Sequence, residues 1–424
     1  MQNHPEIEYL FSLSSRGWKL GLDKITELLE ELGNPHQQYK TIHVAGTNGK
    51  GSTCAMLTSI LVAQGYRTGL FTSPHLIDVT ERIRCNNVDI SYPDLIELIQ
   101  EAKPYIEKYE CTFFEAVTAI GFLYFARQKV DVAVIEVGLG GRLDATNVIA
   151  PVLSIITEIE HDHTKQLGRS REKIAYEKGG IIKSGVTCLT NTRHKIVREI
   201  LASICVERKS PFVHAADFAM LQATTHNLDG TTFSMSANKH VYKNLKLSLL
   251  GDYQLENALL AVTAARLLND SGLVIQDDAI YQGLADVHWP GRLQVYGTHP
   301  LLILDVAHNA SGSKRLVETI QRISPGKTAT IVFGVCDDKN YRSMLQSLNA
   351  ISKEFIFVKA NTYRALSTHI LMHEAEKFGK PMSEFQNVID GMDYATSHVD
   401  SSGFILGTGS HYTVGEILKY HKNA

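Results

Sequence analysis

Thr41-Ile42-His43-Val44-Ala45-Gly46-Thr47-Asn48-Gly49-Lys50-Gly51-Ser52-Thr53 is the stretch on which the fold turns. Thr41 to Val44 favour a β-strand, the turn after them is dense in glycine and carries one lysine and two hydroxyls, and an apolar helical pattern runs from Cys54 to Ala63. Strand, glycine turn and helix in that order make a phosphate loop. Glycines let successive N–H groups point inward, the helix N-terminus adds its positive end, and Lys50 supplies a full charge. Ser52 or Thr53 can hold Mg²⁺. The usual form puts Ser or Thr directly after the lysine, whereas here Gly51 intervenes.

Upstream, Glu6 to Leu13 and Leu22 to Leu32 repeat apolar residues at helical spacing, and Gly33-Asn34-Pro35 stops the second helix. Downstream, Thr68 to Thr72 reads as a strand running into Ser73-Pro74-His75-Leu76, and helices are predicted over Tyr92 to Glu107 and Phe114 to Lys129. Val130 to Val137 is a β-branched strand interrupted by Glu136, and it breaks into a glycine-rich turn from Gly138 to Asn147. An acid at the carboxyl end of a buried parallel strand is costly unless paired or bound to a metal. Val152 to Thr157 delivers Glu160-His161-Asp162-His163-Thr164 to the same edge, where open α/β sheets hold their ligands.

A helix from Arg171 leads to Glu177-Lys178 and on to Lys183, and Val186 to Asn191 resumes a strand. Residues 211–250 alternate around Asp229-Gly230, a hairpin signal that predicts a small antiparallel appendage. An alanine-rich helix opens at Gly251 and runs to Leu268, and another ends near Ala285. Trp289-Pro290-Gly291-Arg292 marks the boundary. Beyond it, β-like runs at Leu301 to Val306, Thr328 to Val335, Phe355 to Ala360 and Phe404 to Leu406 each precede a helical pattern, predicting a second parallel α/β unit. The expected fold is therefore α/β in two domains. Residues 1–288 form an amino-terminal P-loop mononucleotide-binding domain with a parallel sheet and the appendage, and 289–424 a Rossmann-like carboxy-terminal domain.

At 424 residues the chain exceeds what one core usually serves, in keeping with two domains. A net charge of −3 gives no electrostatic reason to expect nucleic acid or an anionic membrane. No run of 18 apolar residues spans a bilayer, and Met1 to Ser15, with Glu6 and Glu8, does not read as a signal peptide; the expected compartment is the cytoplasm. Cys54, Cys85, Cys111, Cys188, Cys205 and Cys336 include no C-x-x-C pair, which argues against a zinc site or disulfide framework and for small buried hydrophobes.

Glu136, His163 and Lys178, taken with the loop hydroxyls, make a hard-ligand set suited to Mg²⁺ or Mn²⁺. By itself Lys178, beside Glu177 near a helix end, reads as a solvated charge, and spacing does not separate His161 from His163. Asp305-Val306-Ala307-His308-Asn309-Ala310-Ser311-Gly312 ends a strand and opens a helix. Asn and Ser serve as caps there, but Asp305 and His308 exceed what a cap needs. Gly334 to Asn340 likewise ends a strand in polar residues, either an ordinary loop or one facing the cleft.

These motifs, in order, resemble the bacterial folylpolyglutamate synthases and bifunctional dihydrofolate synthases of the Mur ligase superfamily. The carriers are Gly46 to Thr53, Thr72-Ser73-Pro74-His75-Leu76 with Glu81-Arg82-Ile83, Thr112-Phe113-Phe114-Glu115, Glu136 to Asn147, Asp162-His163-Thr164, Glu177-Lys178, Trp289-Pro290-Gly291-Arg292, and Asp305 to Asn309. Gly51 after the lysine is normal in that family. The resemblance implies ATP on Gly46, Thr47, Asn48, Gly49, Lys50, Gly51, Ser52 and Thr53, held further by Asn257, Arg292, Asp305 and His308. It implies two magnesium ions, with a monovalent cation as a further candidate, served by Ser52, Ser73, Glu136, His163 and Lys178. Lys178 matches a carbamylated lysine, which reverses its reading as a solvated charge. Lys50, Lys178 and His308 are the implied catalytic residues, and Arg82, Phe114 and Asp144 the implied substrate contacts. The implied reaction joins L-glutamate to dihydropteroate or to the terminal glutamate of a reduced folate, in a monomer without nucleic-acid or membrane partners. Another Mur-type amino-acid ligase, a non-ligating ATPase switch and a noncatalytic folate carrier are the competing readings.

Overall fold

In the computed structural model, which describes all residues except 1–3, 18–19, 169, 229, 238–239, 299, 401–402 and 424, the strand Lys40–Ala45 lies between Val132–Glu136 and Leu153–Ile156 and is parallel to both. The full sheet has eight strands, in the order Val88–Asp89, Ile83–Cys85, Thr68–Phe71, Val132–Glu136, Lys40–Ala45, Leu153–Ile156, Cys188–Thr190 and Phe212–His214. Its central strands are buried along almost their whole length, as β-branched strands covered on both faces must be. The helix Lys50–Ala63 runs directly from the phosphate loop and is buried from Gly51 to Leu61, so its apolar character is all-round rather than a stripe. Helices Asp252–Leu268 and Asp277–Asp286 pack on it.

The appendage is a three-stranded antiparallel sheet of Ala219–Asn227, Gly230–Ala237 and His240–Leu247. Asp229, half of the hairpin signal, lies outside the described residues. One correction concerns its start: Phe212–His214 does not belong to the appendage but pairs in parallel with Cys188–Thr190 and extends the large sheet. The helix Lys195–Glu207, which supplies the crossover between those two strands, was not among the predicted elements.

The second sheet has six strands, in the order Gln294–Thr298, Leu301–Asp305, Phe404–Thr408, Ala329–Phe333, Ser352–Val358 and Met382–Phe385. It is not wholly parallel as expected. Gln294–Thr298 pairs antiparallel with Leu301–Asp305, because a short turn joins them and leaves no room for a crossover helix. Met382–Phe385 is a further edge strand that the sequence reading did not contain. Both sheets present their carboxyl edges to one cleft. The loop after Thr68–Phe71 crosses that cleft: Leu76 and Ile77 pack on the core of the second sheet, and a Cβ at Gly415 would stand 2.0 Å from the Leu76 carbonyl oxygen. Five of the six cysteines are buried and Cys85 is half-buried, all as free thiols. No helix among the described residues is long and apolar enough to cross a membrane.

Candidate active site

Gly49 caps the helix Lys50–Ala63 at φ +90°, a left-handed conformation open to glycine, and its missing side chain leaves room for Asn257, whose Oδ1 would stand 2.3 Å from a Cβ. Gly51 has a different neighbour. A Cβ there would meet the indole of Trp289, 3.0 Å from Cζ2 and 3.1 Å from Nε1. The glycine after the lysine therefore packs closely against Trp289 of the interdomain linker. Lys50 Nζ donates back to the carbonyls of Gly46 and Thr47 at 3.2 and 3.3 Å and stands 4.0 Å from Glu136 Oε1.

Lys178 is not the solvated charge that its helix-end position suggests. It is 5% exposed, and its Nζ donates to the Gly46 carbonyl at 2.7 Å, beneath the phosphate loop. Burial, with Lys50 close by, pulls its pKa down to about 7. Glu136 is buried at the end of its strand, where Ser73 N–H donates to its Oε2 at 3.1 Å. Burial raises the Glu136 pKa against the pull of Lys50. His163 lines the cleft and is held down to about 4, chiefly by burial, so its ring is neutral at pH 7 and able to act as a ligand; His161 is exposed.

From the second sheet, Asp305 is buried and accepts hydrogen bonds from the Leu293 and Ala307 N–H groups at 2.8 Å and from the Tyr253 hydroxyl at 3.2 Å. Asn309 is the cap of the helix Ala310–Ile323, accepting from Gly312 N–H, while its amide donates to Asn48 Oδ1 of the phosphate loop at 3.0 Å. The cap thus also crosses the cleft. Asp162 is the other bridging point: Lys339 Nζ lies 2.7 Å from its Oδ1, and His308 Nε2 3.5 Å from its Oδ2. Burial acts to raise the Asp162 pKa, but the His308 contact and Lys339 carry it well below the usual carboxylate range.

One cleft of about 650 Å³ collects these groups. Every residue that the resemblance assigns to the site lines it except Thr53, which sits fully buried on the core side of the helix while Ser52 faces the cleft. Arg82 donates to His75 Nδ1 at 2.9 Å and lies over the Phe113 ring, Phe114 packs on Gly138, and Asp144 caps the turn Ala145–Val148. Arg292 is deep in the cleft beside His411, 3.4 Å away. Sequence reasoning did not single out His411, Tyr253 or Lys339 by itself, although Lys339 belongs to the polar strand end at Gly334 to Asn340. Glu158, Glu160 and His194 also bring their donor atoms within 4.8 Å of one another. Their carboxylates are already engaged: Glu158 by Thr192 and Arg193, and Glu160 by Arg171 and His194.

The Mur ligase middle domain matches residues 44–265 and the glutamate ligase domain of Mur ligases matches residues 291–411. A Bacillus subtilis dihydrofolate synthase/folylpolyglutamate synthase is 36% identical over 411 residues, covering 95% of each chain. The chain belongs to the folylpolyglutamate synthase/dihydrofolate synthase family of Mur ligases. Among solved structures, the Mycobacterium tuberculosis folylpolyglutamate synthase complexed with ADP superposes with a TM-score of 0.92 at 31% identity over 98% of both chains. An Escherichia coli relative in complex with DHPP and ADP gives a TM-score of 0.90 at 28% identity, covering 100% of this chain and 99% of that one. The molecule is accordingly an ATP-dependent ligase of two α/β units.

Proposed function

We propose that the cleft binds ATP with its phosphates on residues 46–52, forms an acyl phosphate on the carboxylate of dihydropteroate or of a reduced folate's terminal glutamate, and joins that acyl group to the amine of L-glutamate. The observation that carries this reading is Lys50 at the turn of a glycine loop, a cation whose hydrogen bonds go to the backbone carbonyls of Gly46 and Thr47. Such a cation suits a phosphate, and the buried Asn48 Nδ2, without a partner among the described residues, offers a further donor in the loop.

A carboxylate resists attack by an amine at neutral pH, so a carboxylate oxygen of the acceptor first displaces ADP from the γ-phosphorus. The amine of glutamate then attacks the acyl carbon, phosphate leaves, and the nitrogen gives up its proton. Lys50 offsets charge building on the phosphoryl oxygens in the first step. His308 donates from Nδ1 to the Val306 carbonyl at 3.0 Å, which fixes its ring with Nε2 toward Asp162 and the nucleotide side of the cleft. Arg292, Asp305 and Asn257 complete the nucleotide's surroundings, and Arg82, Phe114 and Asp144 receive the acceptor. Ser52, Ser73, Glu136 and His163 are the oxygen and nitrogen donors that fit magnesium, which when bound supplies positive charge to the phosphates. The depressed pKa of Lys178 keeps a share of its amine neutral, the form that adds carbon dioxide, and the resulting carbamate would supply this metal set with a second carboxylate beside Glu136.

The division of labour falls at 288/289, with the linker as hinge. The free thiols fit the reducing cytoplasm, where the chain is proposed to act as a monomer. The test is ATP turnover with L-glutamate and either dihydropteroate or tetrahydrofolate, with products weighed by mass spectrometry. A glutamyl adduct is expected with one acceptor or both; phosphate release without any adduct would overturn the proposal.

A further inference from the structure

Behind Asp144 lies a buried chain of hydrogen bonds that neither the phosphate loop nor the metal set accounts for. The Asp144 carboxylate takes the Leu139 N–H on Oδ2 at 2.8 Å, and on Oδ1 the Thr146 N–H at 3.0 Å and the Thr146 hydroxyl at 2.5 Å. His43 Nε2 stands 2.9 Å from that same hydroxyl. His43 belongs to Lys40–Ala45, the strand that ends in the phosphate loop, and it is fully buried.

The proton directions follow from chemistry. An ionised carboxylate only accepts, so the Thr146 hydroxyl donates to Asp144, its lone pair must accept, and His43 must carry its proton on Nε2. Nδ1 is then a bare acceptor, and it is indeed buried without a partner. A residue chosen for packing alone would not leave a buried ring nitrogen unpaired. Lys183 acts on the ring from the neighbouring loop, where its ammonium donates to the Asn147 carbonyl at 2.8 Å, and its charge with burial keeps the imidazole neutral.

We infer that His43 and Thr146 are positioning residues for the acceptor: the imidazole sets the direction of the Thr146 hydroxyl, and the hydroxyl pins the Asp144 carboxylate, and with it the Leu139 backbone and Ala145, in the arrangement that lines the cleft where a pteroate or folate would bind. The inference rests on the proposed placement of the acceptor at Asp144. One strand then serves both halves of the site, through its end for the nucleotide and through His43 for the acceptor.

The experiment compares KM for the acceptor with KM for ATP in Thr146→Val, His43→Leu, His43→Gln and Asp144→Asn, using whichever of dihydropteroate and tetrahydrofolate the wild type converts, with melting temperature as the folding check. Thr146→Val and His43→Leu are expected to raise the acceptor KM about tenfold, as loss of support for a charged hydrogen bond does, with the ATP KM unchanged. His43→Gln, whose amide can donate from the Nε2 position, is expected to recover most of the loss. An unchanged acceptor KM in Thr146→Val, a parallel rise in both KM values, or a glutamine no better than leucine overturns the inference. Should the valine variant fail to fold, the leucine and glutamine pair decides. Asp144→Asn separates the two levels: if it leaves the acceptor KM unchanged, the placement at Asp144 is wrong, whereas a raised value beside an unaffected Thr146→Val overturns the relay alone.

Discussion

The two carboxyl edges that face each other across the cleft handle charge in opposite ways. On the first sheet, Lys50 and Lys178 hydrogen-bond to backbone carbonyls, and Glu136, at 4.0 Å from Lys50, is taken up by a backbone N–H. On the second, the charges arrive already paired: Lys339 with Asp162, Arg364 with Asp338 at 2.9 Å, and Arg315 with Glu256 at 3.1 Å. Two of those three pairs join the halves of the molecule. On the proposed reading Lys50, with its hydrogen bonds on backbone carbonyls, receives the anion, and the ion pairs of the second edge hold the two halves together.

Lys50→Ala strikes the first edge hardest. Ligation should fall by about 10²–10³-fold while the melting temperature stays close to wild type; near-normal turnover would break the comparison. Lys178→Met should abolish most activity and yet stabilise the protein that lacks a carbamate, by roughly 1–4 kcal/mol at pH 7 in urea unfolding, because it removes a buried charge. The pH dependence has a definite sign. An unfolded lysine keeps its proton up to 10.5 but the folded Lys178 releases it above about 7, so the unfolded state binds more protons between those values and wild-type stability contributed by this group rises with pH across the window. The methionine variant should flatten that rise, and a slope identical to wild type would show that Lys178 is not buried as a free amine.

On the second edge, Lys339→Ala removes the lysine partner of Asp162 and should lower kcat/KM for ATP about tenfold. The loss should persist at high salt, since both partners are nearly buried. Arg322→Ala, which unpairs an exposed link between Asp252 and the second unit, should change stability by no more than about 0.5 kcal/mol. A large effect there would mean that closure depends on the rim and not on Asp162.

Periodicity and glycine placement made the phosphate loop, the buried strand ending at Glu136 and the alternating β and α order legible, because each is a local pattern with one physical cause. Lys178 was not legible by that route. Its helix ends at Gly179, and Gly141 backs so closely onto the Glu177 and Lys178 carbonyls, 2.8 and 2.9 Å from where a Cβ would stand, that the side chain is sealed under the neighbouring turn. Only the family resemblance anticipated its burial. His161 and His163 are alike in sequence; what parts them is tertiary, since His163, in a left-handed conformation at φ +50°, lines the cleft and His161 is exposed. Phe212–His214 and Met382–Phe385 are three and four residues long and sit at sheet edges, where a strand needs little apolar pattern to form. His411 opens the last helix and reaches the site through tertiary packing alone.

The indole of Trp289 lies against the space that a side chain at position 51 would enter, so the loop and the linker meet there. A hydroxyl residue straight after the lysine, as in loops of the common kinase type, would bring its Cβ to 3.0 Å from Cζ2 and require the indole to give by a few tenths of an ångström. Redesign of the nucleotide loop on this scaffold is therefore best made together with position 289.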